Sequence, residues 1–136
     1  MSVRPMRPDE MPQVQTMMHA LLPAEPSYDF CEEAVWVWER EGGGLGGFVS
    51  VSLRPWAQGC ASTPVPFIEA WWVAPDLRRT GVGGALVSAA ERWCLERGYD
   101  ELGSDAELHN DVSLRAHAAL GFEPTLRVQY FRKRLR

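Results

Sequence analysis

The stretch FIEAWWVAPDLRRTGVGGAL, residues 67–86, joins three different patterns without a gap between them. Residues 67–73 are nearly all apolar, which is typical of a strand that is covered on both faces. Two arginines then lead into three glycines, and apolar residues at helical spacing continue to Arg97, just before Gly98. The stretch therefore predicts a strand, a short bare loop and a long amphipathic helix from Gly81 to Arg97.

The remaining patterns predict a mixed α/β domain built around one main sheet. Outside the opening stretch, the predicted elements are a strand over 2–6, a helix capped by Asp9 that runs to Leu22, strands over 34–39 and 45–54, a short strand over 100–105, a helix capped by Asn110 and closed by Gly121, and a last strand over 125–135. Three glycines at 42–44 connect the strands over 34–39 and 45–54 as an antiparallel hairpin. We expect residues 1–136 to form a single domain.

Composition indicates a soluble globular protein and excludes several classes of partner. Hydrophobic residues make up 46% of the 136 residues and charged residues 24%, and the formal net charge is −4. An acidic surface attracts cationic partners rather than nucleic acid, and no apolar run is long enough to span a membrane. The three cysteines lack paired spacing and the three histidines lack zinc-site spacing, so we expect reduced thiols, a cytoplasmic location and no metal.

The glycine-rich loop is a candidate anion site. Amides at the start of a helix lack intrahelical partners and carry the positive end of the helix dipole, and glycines let a phosphate approach them closely. Neither the dinucleotide pattern GxGxxG nor the Walker pattern matches, because Leu86 stands where the third glycine of the former belongs and no Gly-Lys-Ser/Thr follows. A plain loop at a helix start is the alternative.

The pattern Arg78-x-x-Gly81-x-Gly83 resembles the acetyl-coenzyme A pyrophosphate loop of the GNAT N-acetyltransferases. Residues 116–122, AHAALGF, resemble that superfamily's last-helix signature. Three blocks, at 66–83, 103–110 and 117–133, are similar to one branch of the aminoglycoside 6′-N-acetyltransferases. The resemblance implies the GNAT fold, a mixed and mostly antiparallel sheet flanked by helices. It also implies acetyl transfer from acetyl-coenzyme A to the 6′-amine of a cationic aminoglycoside, and a homodimer with the last strand near the interface.

The resemblance also implies which residues bind the coenzyme. The residues concerned are Trp71, Trp72 and Val73 for the pantetheine arm, Arg79, Thr80, Gly81, Val82, Gly83 and Gly84 for the pyrophosphate, and Asn110 further along. Backbone groups make these contacts in the strand and the loop, so we expect the two indole rings to belong to the core. Capping of the last helix by Asn110 is compatible with contact to the coenzyme.

Glu69 interrupts the apolar strand and is the candidate general base. Acetylation requires a neutral amine, so a base has to accept its proton. Burial is expected to raise the pKa of Glu69 toward that of a useful base, and the matching glutamate of the resembled branch contacts the amine directly or through water. The alternative is a carboxylate that is ion-paired within the sheet.

The substrate end combines one matching residue with several departures. Asp105 matches an acidic substrate-contacting position, although an aspartate there can also be a turn residue. The branch has Trp-Pro-x-His where this chain has Leu22 to Glu25, and a tyrosine where it has Trp56. We take Leu22, Glu25, Trp56, Glu69 and Asp105 as the candidate substrate contacts. The departures leave open a polyamine, an amino acid or a protein N-terminus as substrate, and a coenzyme-binding module without catalysis is a third interpretation.

His117 is the candidate general acid for the leaving thiolate. Many GNAT enzymes carry a tyrosine four residues before the glycine of the last-helix signature, and this chain carries His117 there. Histidine can donate a proton near neutrality, although a structural, hydrogen-bonded histidine is the alternative. Tyr130 and solvent are the other candidate donors, and direct transfer needs no cysteine nucleophile.

Overall fold

The computed structural model describes residues 2–23 and 33–136. The helices and strands follow the chain as β1 (Val3–Pro5), α1 (Met11–Leu21), β2 (Ala34–Glu39), β3 (Leu45–Arg54), β4 (Val65–Val73), α2 (Val82–Glu96) and α3 (Asp111–Ala119). Short 3-10 turns, Pro8–Glu10 and Pro75–Leu77, precede α1 and α2. Within this part of the chain, no helix is both long and apolar enough to cross a membrane.

The four strands form one antiparallel sheet in the order β1-β2-β3-β4. The predicted glycine hairpin joins β2 to β3, with Trp36 opposite Val49. Alternation along the strands gives the sheet two apolar faces. One face packs against Leu86 and Val87 of α2, and the other packs against Val14 and Met18 of α1. The sheet is therefore covered by a helix on each face, which agrees with the expected layering.

Residues 100–105 do not form the predicted strand. The segment pairs with β4 only at a parallel bridge between Phe67 and Gly103, where the Ile68 amide donates to the Gly103 carbonyl at 2.8 Å. There is no room for a side chain at Gly103, because a Cβ atom would lie 2.7 Å from the Phe67 ring and 3.0 Å from the Cys60 sulfur. The short bridge nevertheless brings Ser104 and Asp105 next to β4.

The predicted last strand over 125–135 is wrong for the single chain. Residues 123–136 form neither strand nor helix, and they are exposed. Tyr130 and Phe131 are 82% and 91% exposed. Alternating apolar residues favour a strand only when a neighbouring strand supplies hydrogen bonds, and no such partner lies beside this segment in the described residues.

A smaller difference concerns the start of α1. Asp9 lies within the 3-10 turn and does not cap the helix, whose N-cap residue is Glu10. The carboxylate of Glu10 instead accepts two hydrogen bonds from Arg4, at 2.8 and 2.7 Å, and one from the Arg7 amide. An ion pair between β1 and the turn thus replaces the predicted cap.

Candidate active site

The loop between β4 and α2 leaves several amides free to bind an anion. Arg79 and Gly81 have positive φ angles, 62° and 92°, and the loop around them is exposed. The first hydrogen bond of α2 runs from the Ala85 amide to the Gly81 carbonyl, at 3.0 Å. Within the described residues, the amides from Arg79 to Gly84 donate no backbone hydrogen bond. These free donors at a helix N-terminus fit a phosphate group.

Two side-chain contacts hold this loop against the end of β4. The Nε atom of Arg78 donates to the Val73 carbonyl at 2.9 Å, and the Thr80 hydroxyl donates to the Leu77 carbonyl. Arg78 is therefore directed toward the strand, while its backbone leads into the left-handed turn at Arg79. The loop conformation is thus braced by its own polar groups.

The start of α2 lies directly on the Trp71 indole. A Cβ atom at Gly83 would lie 3.1 Å from the Trp71 ring, so glycine permits this close approach. Trp71 packs against the α2 side of the sheet and Trp72 against the α1 side, so both rings contribute to the core as expected. The buried Trp71 indole nitrogen has no hydrogen-bond partner among the described residues.

The outer edge of β4 is open beyond its bridge with Gly103. Residues 71–73 pair with β3 on one side, and the described residues supply no strand on the other. Backbone groups at this edge can therefore bind an extended ligand as an added strand would bind. The loop before α2 thus offers amides for an anion, and the open edge of β4 offers backbone groups for an extended ligand.

Glu69 lies at a β-bulge in β4. The β3–β4 pairing shifts between Ser50, which faces Ala70, and Val51, which faces Ile68, so Glu69 has no Cα partner on β3. An extra residue in one strand bends it and redirects its side chain. The bulge explains how a carboxylate is accommodated within an otherwise apolar strand.

The carboxylate of Glu69 is held by two side chains of β3. Arg54 donates to it twice, from Nε to Oε2 and from Nη2 to Oε1, both at 2.7 Å, and the Ser52 hydroxyl also donates to Oε2. Partial burial raises the pKa of Glu69, but these hydrogen bonds and the charge of Arg54 outweigh it and leave the pKa below its ordinary value. The expected rise in pKa is therefore wrong, and the ion-paired alternative describes the free chain.

The pKa of Asp105 is shifted in the opposite direction, above its ordinary value. Crowding by protein atoms removes part of the water around its carboxyl group and raises the pKa, and the negative charge of Glu69 raises it further. Arg54 and His117 act in the opposite direction. The Phe67–Gly103 bridge thus brings a second carboxylate into electrostatic contact with Glu69 and Arg54.

The other predicted substrate residues do not gather around Glu69 in the described structure. Leu22 is half-buried and packs against the core cluster under α1, because its side chain continues the apolar stripe of that helix. Trp56 belongs to the loop after β3 and is 67% exposed. Glu25 lies outside the described residues.

His117 has hydrogen-bond partners at both ring nitrogens. Its Nδ1 atom lies 2.7 Å from the Ser113 carbonyl oxygen, which can only accept, so Nδ1 carries the proton. Its Nε2 atom lies 2.8 Å from the Ser104 hydroxyl, and the ring stands edge-on between Trp71 and Phe122. In this tautomer, Nε2 accepts from Ser104, which agrees with the structural alternative.

Asn110 caps α3 as predicted. Its side-chain oxygen accepts a hydrogen bond from the Ser113 amide at 3.1 Å. Because Asn110 is exposed, the cap leaves its other side-chain groups accessible. A coenzyme contact remains a prediction.

Sequence reasoning missed Arg54, Ser52 and Ser104. The first two lie on the same face of β3, two residues apart, and polar residues at that spacing near the end of a buried strand were the available signal. Their partner could not be read from the sequence, because the bulge decides which β4 residue they meet. Ser104 is adjacent to the predicted Asp105 and carried no separate signal.

Comparison with known proteins agrees with this geometry. The profile of the Acetyltransferase (GNAT) family matches residues 5–122. The aminoglycoside N(6′)-acetyltransferase type 1 of Klebsiella aerogenes is 49% identical over 89 residues, which cover 65% of this chain and 59% of that protein. The protein of the same name from Salmonella typhimurium strain LT2 is 43% identical over 89 residues, or 65% of this chain and 61% of that protein. The chain therefore spans about three-fifths of the length of these curated relatives.

A solved structure matches over nearly the whole chain. AAC(6′)-Iy in complex with the bisubstrate analogue CoA-S-monomethyl-acetylneamine superposes with a TM-score of 0.85 at 31% identity, covering 97% of each chain. The expected fold, with its antiparallel sheet between helices, is therefore confirmed. Since the family profile also covers most of the sequence, the chain belongs to the GNAT family of acetyltransferases.

Proposed function

We propose that this chain transfers an acetyl group from acetyl-coenzyme A to the 6′-amine of aminoglycosides, and so confers resistance to these antibiotics. The observation that carries the proposal is the match of 97% of the chain to AAC(6′)-Iy in complex with a bisubstrate analogue. The 49% identity to the Klebsiella aerogenes enzyme supports the same substrate class. Acetyl-coenzyme A would supply the acetyl group as a thioester.

The coenzyme site combines the α2 loop and the open edge of β4. The free amides from Arg79 to Gly84 would bind the pyrophosphate, and the backbone of residues 71–73 would bind the pantetheine arm. The Val73 amide, or one beside it, would polarise the acetyl carbonyl. Asn110 would contact the coenzyme from the start of α3, in addition to its capping role.

Glu69 would act as the proton acceptor for the amine. Its lowered pKa keeps the carboxylate ionised, and therefore able to accept, throughout the neutral range. A carboxylate with a low pKa is too weak a base to deprotonate a free ammonium group. Once the neutral amine has attacked the acetyl carbonyl, however, its nitrogen becomes far more acidic, and Glu69 can then accept the proton. Asp105 would add negative charge that attracts the cationic sugar.

His117 would be the proton donor to the departing thiolate. With its Nδ1 proton bonded to the Ser113 carbonyl, the ring can donate from Nε2 only when it carries a second proton. That proton would pass to the Ser104 oxygen while the Ser104 hydroxyl proton passes to the thiolate. We expect His117→Gln to reduce kcat more than it changes KM for the amine. Unchanged turnover in this variant would assign the donor role to Tyr130 or to solvent.

Release of free thiol from acetyl-coenzyme A tests the activity directly. Kanamycin-type aminoglycosides with a 6′-amine should be turned over, and matched compounds with a 6′-hydroxyl should not. The panel also includes a polyamine, an amino acid and a peptide N-terminus, because the chain departs from the resembled branch at Leu22 to Glu25 and at Trp56. Turnover confined to one of these other amines would replace the aminoglycoside by that substrate class.

The role of Glu69 is tested by the Glu69→Gln variant. We expect kcat to fall by about 10²–10⁴-fold while binding of acetyl-coenzyme A is retained. The matched control is Glu39→Gln, which also removes a strand glutamate paired with an arginine, Arg4, but on β2. Full turnover in Glu69→Gln would remove Glu69 as the proton acceptor.

We also propose that the chain forms a homodimer through residues 124–136. These residues are exposed and include Leu126, Val128 and Tyr130 in alternation, which suits pairing with a second copy. Sedimentation velocity of the full chain should give the mass of a dimer. The double variant Leu126→Lys/Val128→Lys should sediment with a mass closer to that of the monomer. If the wild-type chain itself sediments as a monomer at micromolar concentration, this assembly is disproved.

A further inference from the structure

We propose that Arg54 is a positioning residue for the acetyl-transfer reaction: it holds the Glu69 carboxylate so that a single acceptor site, on Oε1, is left for the substrate's amine. The inference rests on the proposed function, since it specifies how the amine meets Glu69. Arg54 matches no motif that led to the family. Only its contacts in the folded chain identify it.

The count of acceptor sites on Glu69 carries the proposal. A carboxylate offers about four lone-pair sites, two on each oxygen. Arg54 Nε and the Ser52 hydroxyl both donate to Oε2, whereas Arg54 Nη2 alone donates to Oε1. One site on Oε1 therefore remains, and the amine would donate there.

Three contacts make Arg54 a fixed part of the site rather than a counter-ion that the substrate displaces. Two are the charge-assisted hydrogen bonds to Glu69 at 2.7 Å. The third is a stacking contact, in which the guanidinium carbon lies 3.7 Å from the centroid of the buried Phe67 ring. A single ammonium group could not replace both bidentate bonding and stacking, so the amine would add to the Arg54–Glu69 pair.

Arg54 has two effects on the site: it orients the Glu69 carboxylate, and its positive charge opposes the binding of a cationic amine. Glu69 on β4, Asp105 after the Gly103 bridge and Tyr130 of the C-terminal segment all interact electrostatically with Arg54, and His117 on α3 interacts with Asp105. When both carboxylates are ionised, their two negative charges outnumber the single positive charge of the guanidinium. Loss of Arg54 would make this cluster more negative, so a cationic amine would bind more tightly although the carboxylate is no longer oriented.

The test compares Arg54→Gln, Arg54→Lys and a matched control, Arg40→Gln. Arg40 also forms two hydrogen bonds to one carboxylate, that of Asp76, and its side chain is 33% exposed against 38% for Arg54. For the amine substrate, Arg54→Gln should lower kcat by about 100-fold, as expected for a misplaced catalytic group, and should also lower KM. Arg54→Lys keeps the charge but not the two-point contact, so it should lower kcat while KM stays near wild type.

A second readout does not depend on turnover. Carbon-13 NMR of the glutamate carboxyl groups, with Glu69 assigned from the Glu69→Gln variant, follows the titration of this residue directly. The pKa of Glu69 should rise in Arg54→Gln, because the dominant hydrogen bonds are lost, and should remain low in Arg40→Gln. The acid limb of kcat/KM should move to higher pH in the same variant.

The two readouts distinguish failure of this inference from failure of the proposed function. Absence of turnover with every aminoglycoside would reject the proposed substrate, while the NMR titration would still test the hold of Arg54 on Glu69. An unchanged Glu69 titration in Arg54→Gln would overturn the inference. So would unchanged kcat in that variant, or an increase in KM that accompanies the loss of kcat, which would indicate general damage to the site.

Discussion

Replacement of Gly103 by alanine tests whether the bridge to β4 positions the site. The new methyl group would lie 2.7 Å from Cδ2 of Phe67 and 3.0 Å from the Cys60 sulfur, whereas ordinary contacts begin near 3.4 Å. The segment or the ring therefore has to move by roughly 0.5–1 Å, and overpacking of this kind costs about 1–3 kcal/mol. Alanine also restricts the unfolded chain, which returns about 0.4–1 kcal/mol. We expect a net loss of about 1–2 kcal/mol in the free energy of unfolding.

The same displacement should reach the chemistry. Asp105 follows Gly103 by two residues, and the Phe67 ring carries Arg54 on its face. A shift approaching 1 Å in these groups is expected to reduce kcat by up to about 100-fold. Urea unfolding gives the stability change, and thiol release gives the rate.

The Phe67→Val substitution supplies the control for this prediction. Valine has no Cδ or Cε atom, so this change removes both Phe67 atoms that the alanine methyl would meet. The double variant should therefore be more stable than the sum of the two single changes predicts. An unchanged urea midpoint together with full activity in Gly103→Ala would refute the reasoning, and additive effects in the double variant would assign the loss to another contact.

Two further substitutions and one chemical modification test local features of the fold. Glu10→Gln should lower the free energy of unfolding by about 2 kcal/mol at pH 7, because Arg4 loses its charged acceptor. The Glu10 pKa is lowered to about 2, so this stabilisation is present above pH 4.5 and is lost as the pH falls toward 2; a pH-independent difference would contradict the assignment. Cys94 is 2% exposed, and burial raises its pKa to about 11. Peptide mapping after treatment with a thiol reagent at pH 7 should therefore find Cys94 unmodified until the chain unfolds. Prompt modification in the folded chain would contradict its burial. Asn110→Ala should cost about 1 kcal/mol through loss of the α3 cap, measured by urea unfolding against Asn110→Asp, and equal stability of the two variants would argue against a capping role.

Most secondary structure was predictable because it depends on neighbouring residues. The strands at 34–39 and 45–54 have the predicted limits, since alternation and the glycine turn are local signals. The helix after the glycine loop begins at Val82 and ends at Glu96, within one residue of the prediction at each end. The last strand was wrong for a related reason: its alternating pattern is local, but a strand also requires a partner.

Some residues of the candidate site were likewise recognisable in the sequence, but their pKa shifts and their partners were not. Glu69 was recognisable as a carboxylate within an apolar strand. Its pKa shift has the opposite sign to the prediction, because Arg54 lies beside it across the β3–β4 pairing. Burial alone raises the pKa of a carboxyl group, and only the arrangement of strands reveals whether a cation compensates.

The resemblance of three sequence blocks already indicated the family. Residue types at short spacing were enough to predict the order of the main strands and helices and the free amides at the start of α2. Which groups face one another became visible only in the folded chain. Folding placed Arg54 and Ser52 on Glu69 through a bulge, Asp105 beside them through one bridge at Gly103, and Ser104 on His117. Such contacts join residues that are distant in the chain, so they depend on strand register and on packing at single atoms, which short-range patterns do not encode.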